Sequence, residues 1–84
     1  MKNRDLLLDM GYDKSIVFEN PDYDEAIIGV SDNGRVIYDY DLMIQHLIEK
    51  HDMDVDEAAD FISYNSSFSS YVDQYPIIMY RLIE

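Results

Sequence analysis

The stretch AIIGVSDNGRVIY, residues 26–38, decides the fold of this chain. Two runs rich in β-branched residues, 26–30 and 35–38, flank a tetrapeptide that ends in Asn33-Gly34. Asn-Gly is frequent in tight hairpin turns because both residues tolerate a positive φ. The sequence therefore predicts a β-hairpin in which Asn33 and Gly34 supply the positive-φ residues of the turn.

The segment after the hairpin changes from strand to helix periodicity. The spacing of one helical face is followed by Tyr40, Met43, Ile44, Leu47, Ile48 and His51. Asp39 is the predicted N-cap of this helix. A second helix is predicted to begin after Asp54, because Asp54 and Glu57 have the spacing of a capping box. So short a connection between two helices predicts an αα-hairpin.

The N-terminal part carries weaker signals. Residues 4–10 are predicted to form a short helix, with Asn3 as the N-cap and Gly11 as the stop. The run 15–18, rich in apolar residues, is compatible with a further strand that ends before Pro21.

The C-terminal part reads as a loop followed by a strand. The serine-rich stretch 63–75 predicts a long loop, and long ordered loops are often functional. Residues 77–82 are predicted to form a terminal strand beside one strand of the hairpin. We expect this strand not to be an exposed edge, because bare apolar edges promote aggregation.

Together these elements predict one α+β domain that spans residues 1–84. Its expected architecture is a small antiparallel sheet of three to four strands, with the αα-hairpin packed on one face and a short N-terminal helix.

Charge limits the function more than any motif does. Eighteen acidic residues face six basic ones, which gives a formal net charge of −12. Such a chain repels nucleic acid and attracts basic protein surfaces. The hydrophobic share of 48% argues against disorder. The chain has no cysteine, no secretory signal and no apolar run of membrane length, so we expect a cytoplasmic protein without disulfides.

A calcium site has a partial match in the sequence. Asp52, Asp54 and Asp56 occupy the spacing of the first three ligand positions of an EF-hand loop. Glu57 stands where that loop needs glycine, and Ser63 stands where it needs a bidentate glutamate. Asp54 and Asp56 are better explained as the N-cap and first turn of a helix.

Histidine ligation and carboxylate catalysis are not favoured either. His46 and His51 are five residues apart, so the i, i+4 pair of a zinc helix is missing, and His46 is expected on the solvated side. A general acid needs a carboxyl group in an apolar pocket, which so short a chain hardly encloses. We predict no metal site, no cofactor and no enzymatic activity.

Protein binding is the class of function that the sequence favours. Tyrosine is enriched in interface hot spots, and this chain has eight. Tyr23 lies among acidic residues that have no apolar periodicity, so it is the predicted anchor, and Tyr71 and Tyr75 are also expected to be free. The acids of the helix–helix turn are the expected rim. The predicted partner-binding residues are Asp22, Tyr23, Asp24, Glu25, Asp52, Asp56, Glu57, Asp60, Tyr71 and Tyr75.

A resemblance adds to this interpretation. The run EAIIGVSDNGRVIYDYDLMIQHLIEKHDMDVDEAADFISYN, together with the closing PIIMYRL, resembles small acidic proteins of gut-type Firmicutes and their phages. It covers roughly residues 23–82 and departs from that set in the serine-rich stretch 66–75. The set has no established activity, so the resemblance implies no functional residue. As a small, acidic, cysteine-free chain, the protein is similar in type to the anti-CRISPR proteins of phages.

The function expected from all of this is non-catalytic. We expect an acidic, phage-encoded inhibitor or modulator, a nucleic-acid mimic that occupies a basic surface of a nucleic-acid-handling protein and does not bind nucleic acid or membrane itself. The alternative is a housekeeping or structural module that self-associates as a homodimer through the terminal strand, with its charge serving only solubility.

Overall fold

The computed structural model describes residues 2–12, 15–19, 21–65 and 75–82. Over these ranges the chain forms the predicted α+β fold. Its elements, in order, are α1 (Asn3–Asp9), a 3₁₀ helix (Asp24–Ala26), β1 (Ile27–Val30), β2 (Val36–Asp39), α2 (Tyr40–His51), α3 (Val55–Asn65) and β3 (Ile77–Met79). No helix within these ranges is both long and apolar enough to cross a membrane.

The hairpin is confirmed, with one difference in its turn. β1 and β2 pair antiparallel, and the N–H of Gly34 donates to the carbonyl of Ser31 at 3.0 Å. Gly34 has a φ of +84°, whereas Asn33 is not among the positive-φ residues. The turn therefore needs one left-handed residue rather than the predicted two. A register shift between Ile27 and Gly29 adds a bulge to β1.

The terminal strand forms beside a hairpin strand, as predicted, but it covers only Ile77–Met79 and its direction makes the sheet mixed. The strand order is β1–β2–β3, and β3 runs parallel to β2 instead of antiparallel. A parallel pair needs a crossover connection, and here α2 and α3 lie in that connection. β3 lies at an edge of the described sheet, where a strand so apolar was not expected, and its three residues are half-buried.

The two predicted helices begin where their caps place them. One carboxylate oxygen of Asp39 accepts from the backbone N–H groups of Asp41 and Leu42, at 2.9 and 3.4 Å. The second helix has the predicted capping box, in which Asp54 accepts from the Glu57 N–H at 2.8 Å and Glu57 accepts from the Asp54 N–H at 3.4 Å. These local bonds fix the first turn of α2 and the first turn of α3.

The N-terminal helix ends as predicted and begins differently. The N–H groups of Gly11 and Tyr12 donate to the carbonyls of Leu8 and Leu7, which is a Schellman motif with Gly11 at φ +92°. Asn3 is the first residue of α1 and not its N-cap. Its side-chain amide instead donates to the carbonyls of Asp24 and Ile27.

Two further predictions in the connecting segments are corrected. Residues 15–18 form no strand; the N–H of Phe18 donates to the hydroxyl of Tyr38 at 3.0 Å. The predicted loop 63–75 begins later, because α3 continues to Asn65, and residues 66–74 lie outside the described ranges.

The core lies between the sheet and the α2–α3 hairpin. Its largest fully buried side chains come from β2, α2 and α3, and they are Tyr38, Met43, Leu47, Ile62 and Val36. Ala58 is also fully buried and allows α3 to pack closely on its neighbours. The acidic turn between the two helices is thus presented on a packed scaffold.

Candidate protein-binding surface

Tyr23, the predicted anchor, is part of the core. Only 3% of its surface is exposed, and its ring packs edge-on against Phe18 and His46, with centroids 5.8 and 5.4 Å away. Burial raises the pKa of its hydroxyl to about 12. The expectation that Tyr23 is free for a partner is therefore wrong, because the tyrosine closes the core where the 3₁₀ helix begins.

The acids beside Tyr23 hold the N-terminal helix in place. The Asp24 carboxylate accepts from the backbone N–H groups of Asn3 and Arg4 at 2.9 and 3.0 Å, so Asp24 provides the N-terminal cap that α1 lacks locally. Asp22 accepts from the Asp24 N–H at 3.2 Å and lies 3.7 Å from the ammonium of Lys2. Neither carboxylate is free in the way that the sequence suggested.

Glu25 binds to the helical hairpin. Its Oε2 lies 3.2 Å from Nδ1 of His46, whose side chain is only 11% exposed, so His46 is not on the solvated side as expected. Together with Tyr23, this contact joins the 3₁₀ helix to α2. Among the described residues, no group of three or more potential ligands could hold a metal ion.

Tyr71 and Tyr75 are the other two tyrosines that were predicted to be free for a partner. Tyr71 lies outside the described ranges. Tyr75 is half-buried; its carbonyl accepts from Nε of Arg35 at 2.7 Å, and its ring meets that of Phe18 edge-on at 6.0 Å.

The acids of the helix–helix turn are exposed, as was expected of the acids around Tyr23. We call this group the hairpin acidic surface; its members are Asp52, Asp54, Asp56, Glu57 and Asp60, and all five are exposed. Asp52 closes α2 in a left-handed conformation, with φ +58°. Asp54 and Glu57 form the capping box. No ion pair within the described ranges involves any of the five carboxylates.

The aromatic residue that accompanies this surface is Tyr64, which lies in the stretch predicted to be a loop. Tyr64, on the last turn of α3, is 80% exposed. Tyr64 follows Glu57 by seven residues and Asp60 by four, so the three lie on one side of the helix, and they line an open groove together with Phe61 and Met53. The helical spacing is visible in the sequence, but the serine-rich composition of 63–75 favours a loop.

Asp60 also borders a second groove between α3 and β3. This groove is lined by Tyr40, Ile78 and Tyr80, among others, and the rings of the two tyrosines lie against each other with centroids 4.7 Å apart. The pKa of the Tyr40 hydroxyl is raised, first by burial and then by the nearby charges of Tyr80, Asp41 and Asp60. Asp60 therefore borders two grooves, each of which is also lined by aromatic residues.

Among the described residues, Asp39 is the buried carboxylate, and its surroundings favour the ionised form. Its Oδ2 accepts from Nη2 and Nε of Arg81 at 2.6 and 2.8 Å. Burial raises the pKa of Asp39, but the hydrogen bonds from Arg81, Leu42 and Asp41 and the charge of Arg81 outweigh it, so the pKa lies below its ordinary value. A general acid needs the opposite shift, and this arrangement is a structural cap.

Comparison of the chain with protein-family models, with curated proteins and with solved structures found no match.

Proposed function

We propose that this protein is a non-catalytic, cytoplasmic binding module that uses the hairpin acidic surface to occupy a basic surface of a nucleic-acid-handling protein. The observation that carries the proposal is a group of five exposed carboxylates around one helix–helix turn, near the exposed ring of Tyr64. None of the five has an ion-pair partner in the part of the chain that the structure describes.

Electrostatics supports a protein partner rather than a nucleic acid. The chain has a formal net charge of −12, and the described cations that form ion pairs, Lys2, Arg4 and Arg81, pair with acids outside the hairpin acidic surface. Carboxylates grouped in this way attract a basic groove over long distances and repel phosphate. A surface that normally binds nucleic acid has that complementary charge.

The proposed biological role is inhibition. A small acidic module that covers a basic channel competes with the nucleic acid that the channel serves. The sequence resemblance to acidic proteins of Firmicutes and their phages leads us to propose a phage-encoded inhibitor or modulator that is anti-CRISPR-like in type.

The test is capture from nuclease-treated Firmicutes lysate with two matched triple variants. The first, Asp56→Asn/Glu57→Gln/Asp60→Asn, neutralises three acids of the hairpin acidic surface and keeps polar groups at the capping positions. The control, Asp5→Asn/Asp9→Asn/Asp32→Asn, removes the same charge from exposed acids elsewhere.

We expect the wild type and the control to capture one nucleic-acid-binding protein at stoichiometric level, and an added DNA or RNA oligonucleotide to compete with capture. The hairpin variant should lose the partner. Equal loss with both variants, or capture that nucleic acid does not reduce, would contradict the proposal.

A second candidate, self-association, is favoured by the C-terminal strand. β3 is an apolar edge of the sheet, and it is followed by Tyr80 and Leu82, whose exposed fractions are 65% and 101%. Pairing of two β3 edges would form a homodimer in which charge serves only solubility. A concentration-dependent dimer in sedimentation, with no captured partner, would support this candidate over the first.

A further inference from the structure

We infer that the groove beside Asp60 and Tyr64 receives an arginine side chain of the partner. This inference rests on the proposed function, since it names the chemical group that the hairpin acidic surface recognises. It concerns one groove of the surface, lined by Asp60, Phe61 and Tyr64 on α3 and by Met53 before it.

The first support is the state of the Tyr64 ring. It is 80% exposed, although it sits on a well-formed helix beside a half-buried Phe61. In the neighbouring groove, the rings of Tyr40 and Tyr80 already lie against each other, whereas Tyr64 has no ring partner among the described residues. An unstacked ring offers a face on which a planar cation can lie.

The second support is the charge beside that ring. Within the described ranges, the Asp60 carboxylate has neither a hydrogen-bond donor nor an ion-pair partner, and it precedes Tyr64 by one helical turn. A carboxylate next to an open aromatic face selects a group that is both cationic and planar. Its charge complements a basic side chain, and the ring adds attraction that depends on the shape of the cation.

These two features favour arginine over lysine. A guanidinium can stack on Tyr64 while its fork of N–H groups donates to Asp60, and its weaker hydration makes it easier to transfer into a groove with an apolar floor. The lysine ammonium is a strongly hydrated point charge. It can form an ion pair with the carboxylate but gains little from contact with the ring. The apolar floor of Met53 and Phe61 suits the methylene stem of the arginine.

The experiment measures binding of labelled hexaarginine and hexalysine peptides at one fixed salt concentration. The proteins compared are the wild type, Tyr64→Leu, Tyr64→Phe, the control Asp5→Asn and the hairpin triple variant Asp56→Asn/Glu57→Gln/Asp60→Asn. Each is checked for an unchanged thermal unfolding midpoint. We expect the wild type to bind hexaarginine more tightly than hexalysine. Tyr64→Leu should reduce that preference about two- to fivefold by weakening only hexaarginine. Tyr64→Phe and Asp5→Asn should keep it.

The outcomes separate this inference from the proposed function. A preference for hexaarginine that survives Tyr64→Leu, or equal binding of both peptides, overturns the arginine site. If binding in that case still falls with the hairpin triple variant, the proposed function stands. If neither peptide binds, or if binding is indifferent to the hairpin acids, both are overturned.

Discussion

Tyr23 and Tyr64 occupy opposite environments, and single substitutions should separate them. Tyr23→Ala removes a ring that is 3% exposed and contacts Phe18 and His46, so it leaves a cavity at the junction of the 3₁₀ helix and α2. We expect it to lower the free energy of unfolding by about 3 kcal/mol or more. Tyr64→Ala, at an 80% exposed position, should change it by less than about 0.5 kcal/mol.

Chemical denaturation followed by circular dichroism measures both values. A Tyr23→Ala variant that unfolds at the wild-type denaturant concentration would mean that Tyr23 is at the surface, as the sequence alone had suggested.

Asp39 makes the stability of the fold sensitive to acid. Its pKa is lowered in the folded state from an ordinary value of 3.8, so folding favours its ionised form. A carboxylate whose pKa is lower in the folded state stabilises the fold at pH values above its unfolded-state pKa. This stabilisation is lost as the pH falls through the folded-state pKa. The window for this loss therefore begins near pH 4 and extends below it.

Asp39→Asn provides the comparison, because asparagine keeps an N-cap but cannot ionise. The difference in unfolding free energy between wild type and variant should shrink as urea denaturation is repeated at decreasing pH below about 4. A difference that stays constant over this range would show that Asp39 is not linked to the acid response.

At the scale of the elements, the hairpin turn depends on Gly34. Its φ of +84° lies where a side chain with a branched β-carbon is strained, so Gly34→Val should destabilise the fold by about 1 kcal/mol or more. Gly29→Ala is the matched control in the same hairpin, because its new methyl group would meet no atom within 4 Å. Denaturation midpoints compare the two, and equal midpoints would mean that the turn does not need a left-handed residue.

The elements that the sequence predicts well are those whose signals are local. The hairpin runs, the Asp39 cap and the Asp54–Glu57 capping box each depend on residues a few positions apart, and the structure contains all of them. The binding anchor could not be placed in the same way. Whether Tyr23 is buried depends on Phe18 and on α2, which the acidic sequence around it does not reveal.

Long-range contacts explain the other differences. The N-terminal cap of α1 is the Asp24 carboxylate, which accepts from backbone N–H groups 20 and 21 residues earlier in the chain. No local sequence pattern indicates such a partner. Similarly, the direction of β3 depends on how the helical hairpin returns the chain to the sheet. The apolar alternation of residues 77–82 is the same for a parallel and an antiparallel neighbour.

At the scale of the whole molecule, the structure separates two kinds of acid. Asp22, Asp24, Glu25 and Asp39 bind other parts of the chain, whereas the hairpin acidic surface points away from the core without ion pairs in the described ranges. A net charge of −12 is thus partly structural. In the described ranges, five exposed acids without ion pairs are grouped at one turn, whereas Asp5, Asp9 and Asp32 are exposed elsewhere. Recognition should therefore depend on where a charge is removed and not only on how much is removed.

The most direct test is the association rate with the captured partner, measured for wild type, the hairpin triple variant and the control triple variant at about 10 mM and about 150 mM salt. We predict that the wild-type and control rates are high at low salt and fall by about tenfold or more at the higher concentration. The hairpin variant should associate slowly at both. Association rates that do not respond to salt, or that fall equally for the two variants, would contradict the account.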